Sequence, residues 1–123
     1  MELKIFVTFG ALFGAIGVIM GAFGAHYFKD ILSANQLNTL EIGVRYQLLH
    51  AVALIALAAC STYFTSIFIP LSLWTLIAGT LLFSGSLYLY TFTLLKAFAI
   101  ITPIGGLLLV LGWLFYAIGA LRS

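Results

Sequence analysis

The sequence predicts an all-α integral membrane protein: a four-helix bundle with a short interfacial amphipathic helix between spans one and two. Three observations carry that prediction. Hydrophobic residues make up 64% of the chain and charged ones only 7%, with mean hydropathy +1.25, whereas a soluble domain is commonly about a quarter charged. The few charges sit at the ends of long apolar runs. Those runs match the ~20 residues a helix needs to cross a ~30 Å hydrocarbon core. Closed barrels, the other spanning solution, alternate apolar and polar residues instead.

The first span is expected at about 5–26, because no Asp, Glu, Lys or Arg occurs between Ile5 and Ala25. Lys4 before this run, and Ala22-Phe23-Gly24 near its end, loosely resemble a signal peptide. A signal core, however, is only about 7–15 residues long, so the segment is read as a retained span. The next uncharged stretch runs from Tyr46 to Leu95. As one helix it would be roughly 75 Å long, over twice the core thickness. It therefore divides into spans at about 44–64 and 68–92, reversing at Ser61-Thr62-Tyr63-Phe64-Thr65-Ser66 ahead of Pro70. A fourth span is expected at about 99–121, with Thr102 and Pro103 at its start, where a proline's missing donor costs nothing. The whole chain, 1–123, forms one membrane domain with both termini on the same side.

The longest loop precedes the second span. Ser33 and Gln36 have capping-box spacing, and Leu37, Leu40, Val44 and Leu48 repeat at helical spacing behind them. This predicts the amphipathic helix at about 33–43, running through Gly43 into the second span. Glu41 and Arg45 lie one turn apart and are placed to pair. Lys29, Arg45 and Lys96 flank the first and third loops, against Lys4 and Arg122 on the terminal side. Three against two leans towards cytoplasmic loops and outward-facing termini.

Packing signals are strong. Gly10, Gly14, Gly17, Gly21 and Gly24 form one stripe along the first helix, and Ala11, Ala15, Ala22 and Ala25 a second beside it. Gly105, Gly112 and Gly119 repeat at seven in the last helix. Small residues let helix backbones approach closely in lipid, where no hydrophobic force pairs them. These seams are read first as intrachain packing and second as an oligomer interface.

Polar residues gather at one end. His26 closes the first span, Tyr46, Gln47 and His50 share a face of the second, and Ser84, Ser86 and Tyr88 lie late in the third. With Thr102 they form a candidate ligand-binding cluster in the leaflet of the first and third loops. Gln47 and His50 carry most of its weight, since amide and ionisable groups within a span usually face the interior or a wet cavity. Interhelical hydrogen bonding is the commoner use of such groups. Ser84, Ser86 and Thr102 also commonly bond their own helix, and Trp74 and Trp113 read as belt or packing residues.

No catalytic residue and no metal ligand set is expected. His26 and His50 could be drawn across a haem, but zinc would want three or four ligands, and no Cys-x-x-Cys or His-x-x-x-His accompanies them. Ser84-Gly85-Ser86 is not a nucleophile elbow, and no carboxylate within the spans could orient His50. Cys60, the single cysteine, reads as a packed small hydrophobe. No cofactor is predicted. The net charge of +2 is too small for a nucleic-acid footprint. Lipid is the expected surrounding, with a second copy or a larger membrane complex as the protein partners left open.

Four blocks of residues, in order, carry a family resemblance. They are Gly21-Ala22-Phe23-Gly24-Ala25-His26, Arg45-Tyr46-Gln47 with His50-Ala51, Phe83-Ser84-Gly85-Ser86-Leu87-Tyr88, and Ile101-Thr102-Pro103-Ile104-Gly105-Gly106 with Gly112-Trp113. Across nearly its whole length the chain resembles the domain-of-unknown-function 423 family of small bacterial four-helix inner-membrane proteins. The resemblance implies four spans and a bacterial inner-membrane location, and it brings no activity with it. Function is therefore expected to be a non-enzymatic scaffold or accessory or assembly subunit. The alternative is a binder or conduit for a small molecule, ion or lipid through the polar cleft.

Overall fold

Four helices run through the computed structural model, which describes residues 2–123. They are α1 (Leu3–Tyr27), α2 (Ala34–Cys60), α3 (Phe68–Thr93) and α4 (Lys96–Leu121), each long and apolar enough to cross a membrane. Among the described residues there is no strand. Within α1, Ile19–Gly24 is wound as a π-helix.

Ser33 fixes where α2 begins. Its Oγ accepts the Gln36 N–H at 3.2 Å, and Gln36 Oε1 accepts the Ser33 N–H at 2.9 Å, completing the capping box. The helix then continues without a break for 27 residues. The amphipathic stretch expected at about 33–43 is thus the opening of α2 and not a separate helix lying in the interface. The reason is where its apolar stripe goes: Leu40 and Val44 are buried and Leu37 and Leu48 half-buried, packed within the bundle. At ~1.5 Å per residue α2 is about 40 Å long, roughly 10 Å more than the hydrocarbon core. Its first turns therefore extend into the headgroup region.

The other turns are short. α2 ends in a 3₁₀ turn, Ser61–Tyr63, and α3 starts at Phe68 with Pro70 in its first turn. Leu94 closes α3 in the left-handed conformation (φ 57°), its N–H bonded to the Tyr90 carbonyl at 2.8 Å. Leu95 is extended, and α4 begins at once at Lys96. Thr102 and Pro103 therefore lie inside α4, beyond its first turn, and do not form its start. A proline marks a helix start only when nothing upstream does, and here the left-handed Leu94 already ends the preceding helix.

The C-terminus meets the turn between α2 and α3. Ser123 Oγ accepts the N–H groups of Thr65 and Ser66, each at 3.1 Å, and donates to the Gly119 carbonyl at 2.6 Å. At the other terminus Phe6 packs edge-on against Trp74, centroids 5.1 Å apart.

α2 and α3 form the centre of the bundle: 44% of each one's apolar window is buried, against 22% for α1 and 17% for α4. α1 lies on α2 and α4 on α3. The glycine stripe of α1 faces Leu40, Val44, Leu48, Ala51 and Ile55 of α2, a Cβ at Gly10 falling 2.9 Å from the Ala51 carbonyl oxygen. Gly105, Gly112 and Gly119 face Phe83, Leu76 and Ile69, themselves seven apart on α3. A Cβ at Gly105 would lie 2.7 Å from the Phe83 Cα. Both seams lie within the chain. The alanines beside the first, Ala11, Ala15, Ala22 and Ala25, are exposed.

Candidate functional site

The polar residues of the interior are joined across the helices. Gln47, 4% exposed, is the hub. Its Nε2 donates to the Phe13 carbonyl of α1 at 2.8 Å, and its Oε1 accepts the Tyr88 hydroxyl of α3 at 2.6 Å. One carboxamide thereby ties three helices. Beside it, the buried Ser84 Oγ donates to the Gly43 carbonyl at 2.7 Å, and the Tyr88 ring lies so close to Gly43 that a Cβ there would fall 2.7 Å from Cε1.

His50, 3% exposed, links α2 to α4. The indole N–H of Trp113 donates to His50 Nε2 at 3.1 Å, and His50 Nδ1 lies 2.8 Å from the Tyr46 carbonyl. An indole nitrogen can only donate and a carbonyl can only accept. Nε2 must then be the bare nitrogen and Nδ1 the protonated one, so the ring is the neutral Nδ1–H tautomer with both nitrogens occupied.

Ser86 and Thr102 join α3 to α4, their hydroxyl oxygens 2.6 Å apart. Ser86 Oγ also lies 2.9 Å from the Phe83 carbonyl, and Thr102 Oγ1 3.3 Å from the Phe98 carbonyl. The shorter pair of bonds forms when Thr102 donates to Ser86 and Ser86 to Phe83.

The eight residues singled out from the sequence thus divide. Gln47, His50, Ser84, Ser86, Tyr88 and Thr102 enter interhelical bonds. Tyr46 is 41% exposed and contributes its carbonyl and a ring packed 4.7 Å from Phe83. His26 is exposed near the end of α1, outside this network, so the two histidines do not face each other across a shared space. Among the described residues no three His, Cys, Asp or Glu side chains come together as a metal site, and no buried side-chain nitrogen or oxygen lacks a partner. Cys60 is exposed at the end of α2 rather than packed, because the turn at Ser61 carries the chain away there.

Several members of the network carried no functional signal in the sequence. Trp113 read as belt or packing, yet its N–H sets the His50 tautomer. Tyr116 donates to the Leu57 carbonyl at 2.7 Å and Ser72 to the Gly112 carbonyl at 2.6 Å. Gln36, read only as a cap, also donates to the Thr91 carbonyl at 2.9 Å. An indole, phenol or amide within or beside a span is the one available cue, since each needs a partner when desolvated. A groove of about 150 Å³ remains between α1 and α3, bordered by Phe13, Ile16, Gln47, Leu81, Gly85 and Tyr88.

A family described as "Protein of unknown function (DUF423)" matches residues 20–106, a stretch that holds Gln47, His50 and their partners except Trp113 and Phe13. A UPF0382 membrane protein of Staphylococcus saprophyticus is 40% identical over 120 residues, covering 98% of this chain and 99% of the relative. A UPF0382 membrane protein of Staphylococcus aureus is 38% identical, covering 98% of each chain. The UPF0382 inner membrane protein YgdD of Escherichia coli is 36% identical over 122 residues, covering 99% of this chain and 93% of the relative. No solved structure matches the chain. Four spanning helices and these relatives make it a multi-pass integral membrane protein.

Proposed function

This chain belongs to the DUF423 family, and on that premise we propose that it is a non-enzymatic scaffold or accessory subunit of the bacterial inner membrane. One observation supports this above all: the polar groups that could have served a ligand are taken up in holding the helices together. Gln47 has both ends bonded and His50 both ring nitrogens. A general base or metal ligand would have to break one of these bonds first. The protein then offers its surroundings a rigid bundle with broad apolar faces, the kind of surface through which helices associate in lipid. The reading needs no cofactor. Its partner is a second copy or a larger membrane complex, and the charge count favours loops in the cytoplasm and termini outside.

Native mass spectrometry of the wild type and of His50→Leu, released in a mild detergent, tests this. A scaffold gives a defined protein assembly above the 13.3 kDa chain, and His50→Leu lowers its thermal stability without removing any small-molecule mass. A bare monomer carrying a stoichiometric small molecule, lost from a still-folded His50→Leu, overturns the reading in favour of a binding protein.

A further inference from the structure

Where α2 begins and α3 ends, several polar side chains are left over by the fold. A cavity of about 250 Å³ lies there, bordered by Ser33, Asn35, Gln36 and Thr39 on the α2 side and by Tyr90 and Thr91 on the α3 side. Leu94, just past α3, completes the border, and none of these residues is charged. The walls are fixed by bonds of their own. The capping box locks Ser33 and Gln36, and Gln36 Nε2 crosses to the Thr91 carbonyl at 2.9 Å. Thr39 Oγ1 donates to the Asn35 carbonyl at 3.0 Å, Thr91 Oγ1 to the Leu87 carbonyl at 2.7 Å, and the Leu94 N–H to the Tyr90 carbonyl at 2.8 Å.

Three groups on this border stay free. The Asn35 carboxamide, the Tyr90 hydroxyl and the Ser33 hydroxyl proton have no partner among the described residues. Asn35 and Ser33 are exposed and Tyr90 half-buried, so a solute can reach them. An amide, a phenol and an alcohol each offer both donor and acceptor. The Thr39 and Thr91 hydroxyls, whose protons are spent, keep lone pairs that can accept. An anion would want an Arg or Lys here and a cation a carboxylate. The first charges along α2, Glu41 and Arg45, lie outside the border and bond each other, Nη2 to Oε1 at 3.2 Å.

We propose that this cavity binds a neutral sugar ring. Neighbouring ring hydroxyls each give and take a hydrogen bond, which is what Asn35, Ser33 and Tyr90 have to offer. Hydroxyls of this kind reproduce the bonds of the water they displace. Tyr90 and Leu94 add apolar surface suited to the C–H face of the ring. At about 250 Å³ the cavity is smaller than the ~300–1,000 Å³ of a drug-sized site, which limits the ligand to a single ring. A free monosaccharide and the headgroup of a glycosyl diacylglycerol present the same chemistry, and the test separates them. The inference goes beyond the scaffold reading and uses neither Gln47 nor His50, so each can fail alone.

The test uses the full chain held in lauryldimethylamine oxide, since a maltoside detergent would itself compete. Saturation-transfer NMR follows D-glucose and D-galactose, and native mass spectrometry follows monoglucosyl diacylglycerol against diacylglycerol without the sugar. Saturable binding of a free sugar assigns the ring itself, and selective retention of the glycolipid alone assigns a lipid headgroup. Asn35→Ala and Tyr90→Phe, which remove no intramolecular side-chain bond, should each weaken that binding about fivefold, the loss of one hydrogen bond. Asn38→Ala, exposed and outside the cavity, should leave it unchanged. Binding of neither sugar nor glycolipid, binding undiminished in both cavity variants, equal weakening by Asn38→Ala, or competition by inorganic phosphate as strong as by glucose overturns the proposal.

Discussion

Gln47→Leu isolates what the hub is worth. The substitution keeps the side chain's bulk, removes the bond to the Phe13 carbonyl and removes the acceptor of the Tyr88 hydroxyl. Interhelical hydrogen bonds in membrane proteins average ~0.6 kcal/mol each. The Phe13 carbonyl belongs to an α-helix and loses only a second donor, whereas the half-buried Tyr88 hydroxyl is orphaned at ~1 kcal/mol. The single variant should therefore lose about 2 kcal/mol. Tyr88→Phe should lose about 1.5 kcal/mol, since it leaves the buried Gln47 oxygen unpaired. The double variant has no orphan and should lose only about 1 kcal/mol, less than either single change. Reversible unfolding in mixed SDS and dodecylmaltoside micelles measures all three. If the double variant loses the sum of the singles, or Gln47→Leu is neutral, the three-helix clasp is refuted.

Gly105→Ala drives a Cβ into the Phe83 backbone and should cost ~2 kcal/mol by overpacking, while Gly85→Ala, whose Cβ would meet nothing within 4 Å, should leave the same unfolding transition within ~0.5 kcal/mol of wild type. Nitrogen-15 spectra of labelled histidine should show His50 as the neutral Nδ1–H tautomer, and Trp113→Phe, which removes the donor to Nε2, should shift the Nε2 resonance far more than that of Nδ1; a protonated Nε2 in the wild type contradicts the network. Alkaline phosphatase fused after Ser123 should be active in cells, as expected of an outward terminus, and a silent phosphatase fusion together with a fluorescent green-fluorescent-protein fusion at the same residue reverses the orientation.

Helix number and approximate ends were legible because the bilayer imposes them. Uncharged length alone sets Ile5–Ala25 apart as one span, and the 50 residues from Tyr46 to Leu95 are too many for another. The capping box at Ser33 was legible because both its partners lie within one turn. Where prediction and structure part, a local signal was overridden by a longer one. Pro103 suggested a helix start, but Leu94 turned the chain earlier. The amphipathic stripe at 37–48 suggested a helix lying on lipid, but the glycines of α1 supplied a closer surface.

The site was less legible, and the reason is rotational. In a soluble helix the polar side tells which face is buried; α1 and α4 are apolar on every side, so the rotation of each about its axis is not marked. His26 was grouped with Gln47 and His50 because all lie towards one end of the bundle, but the α1 residues level with Gln47 are Phe13 and Gly17, and His26 lies more than two turns beyond them. The glycine seams were the exception, because smallness marks a face where polarity does not. A second obstacle lies in the acceptors. Gln47, Ser84, Ser72, Tyr116 and Gln36 all donate to backbone carbonyls, of Phe13, Gly43, Gly112, Leu57 and Thr91 respectively. Every helix carbonyl has a second lone pair to offer, so such a bond asks nothing of the residue that supplies it. No side chain at the accepting position has to match the donor, and no pair of residue types in the sequence can announce the contact. Phe13→Leu should accordingly keep the Gln47 bond intact, whereas Gln47→Leu breaks it.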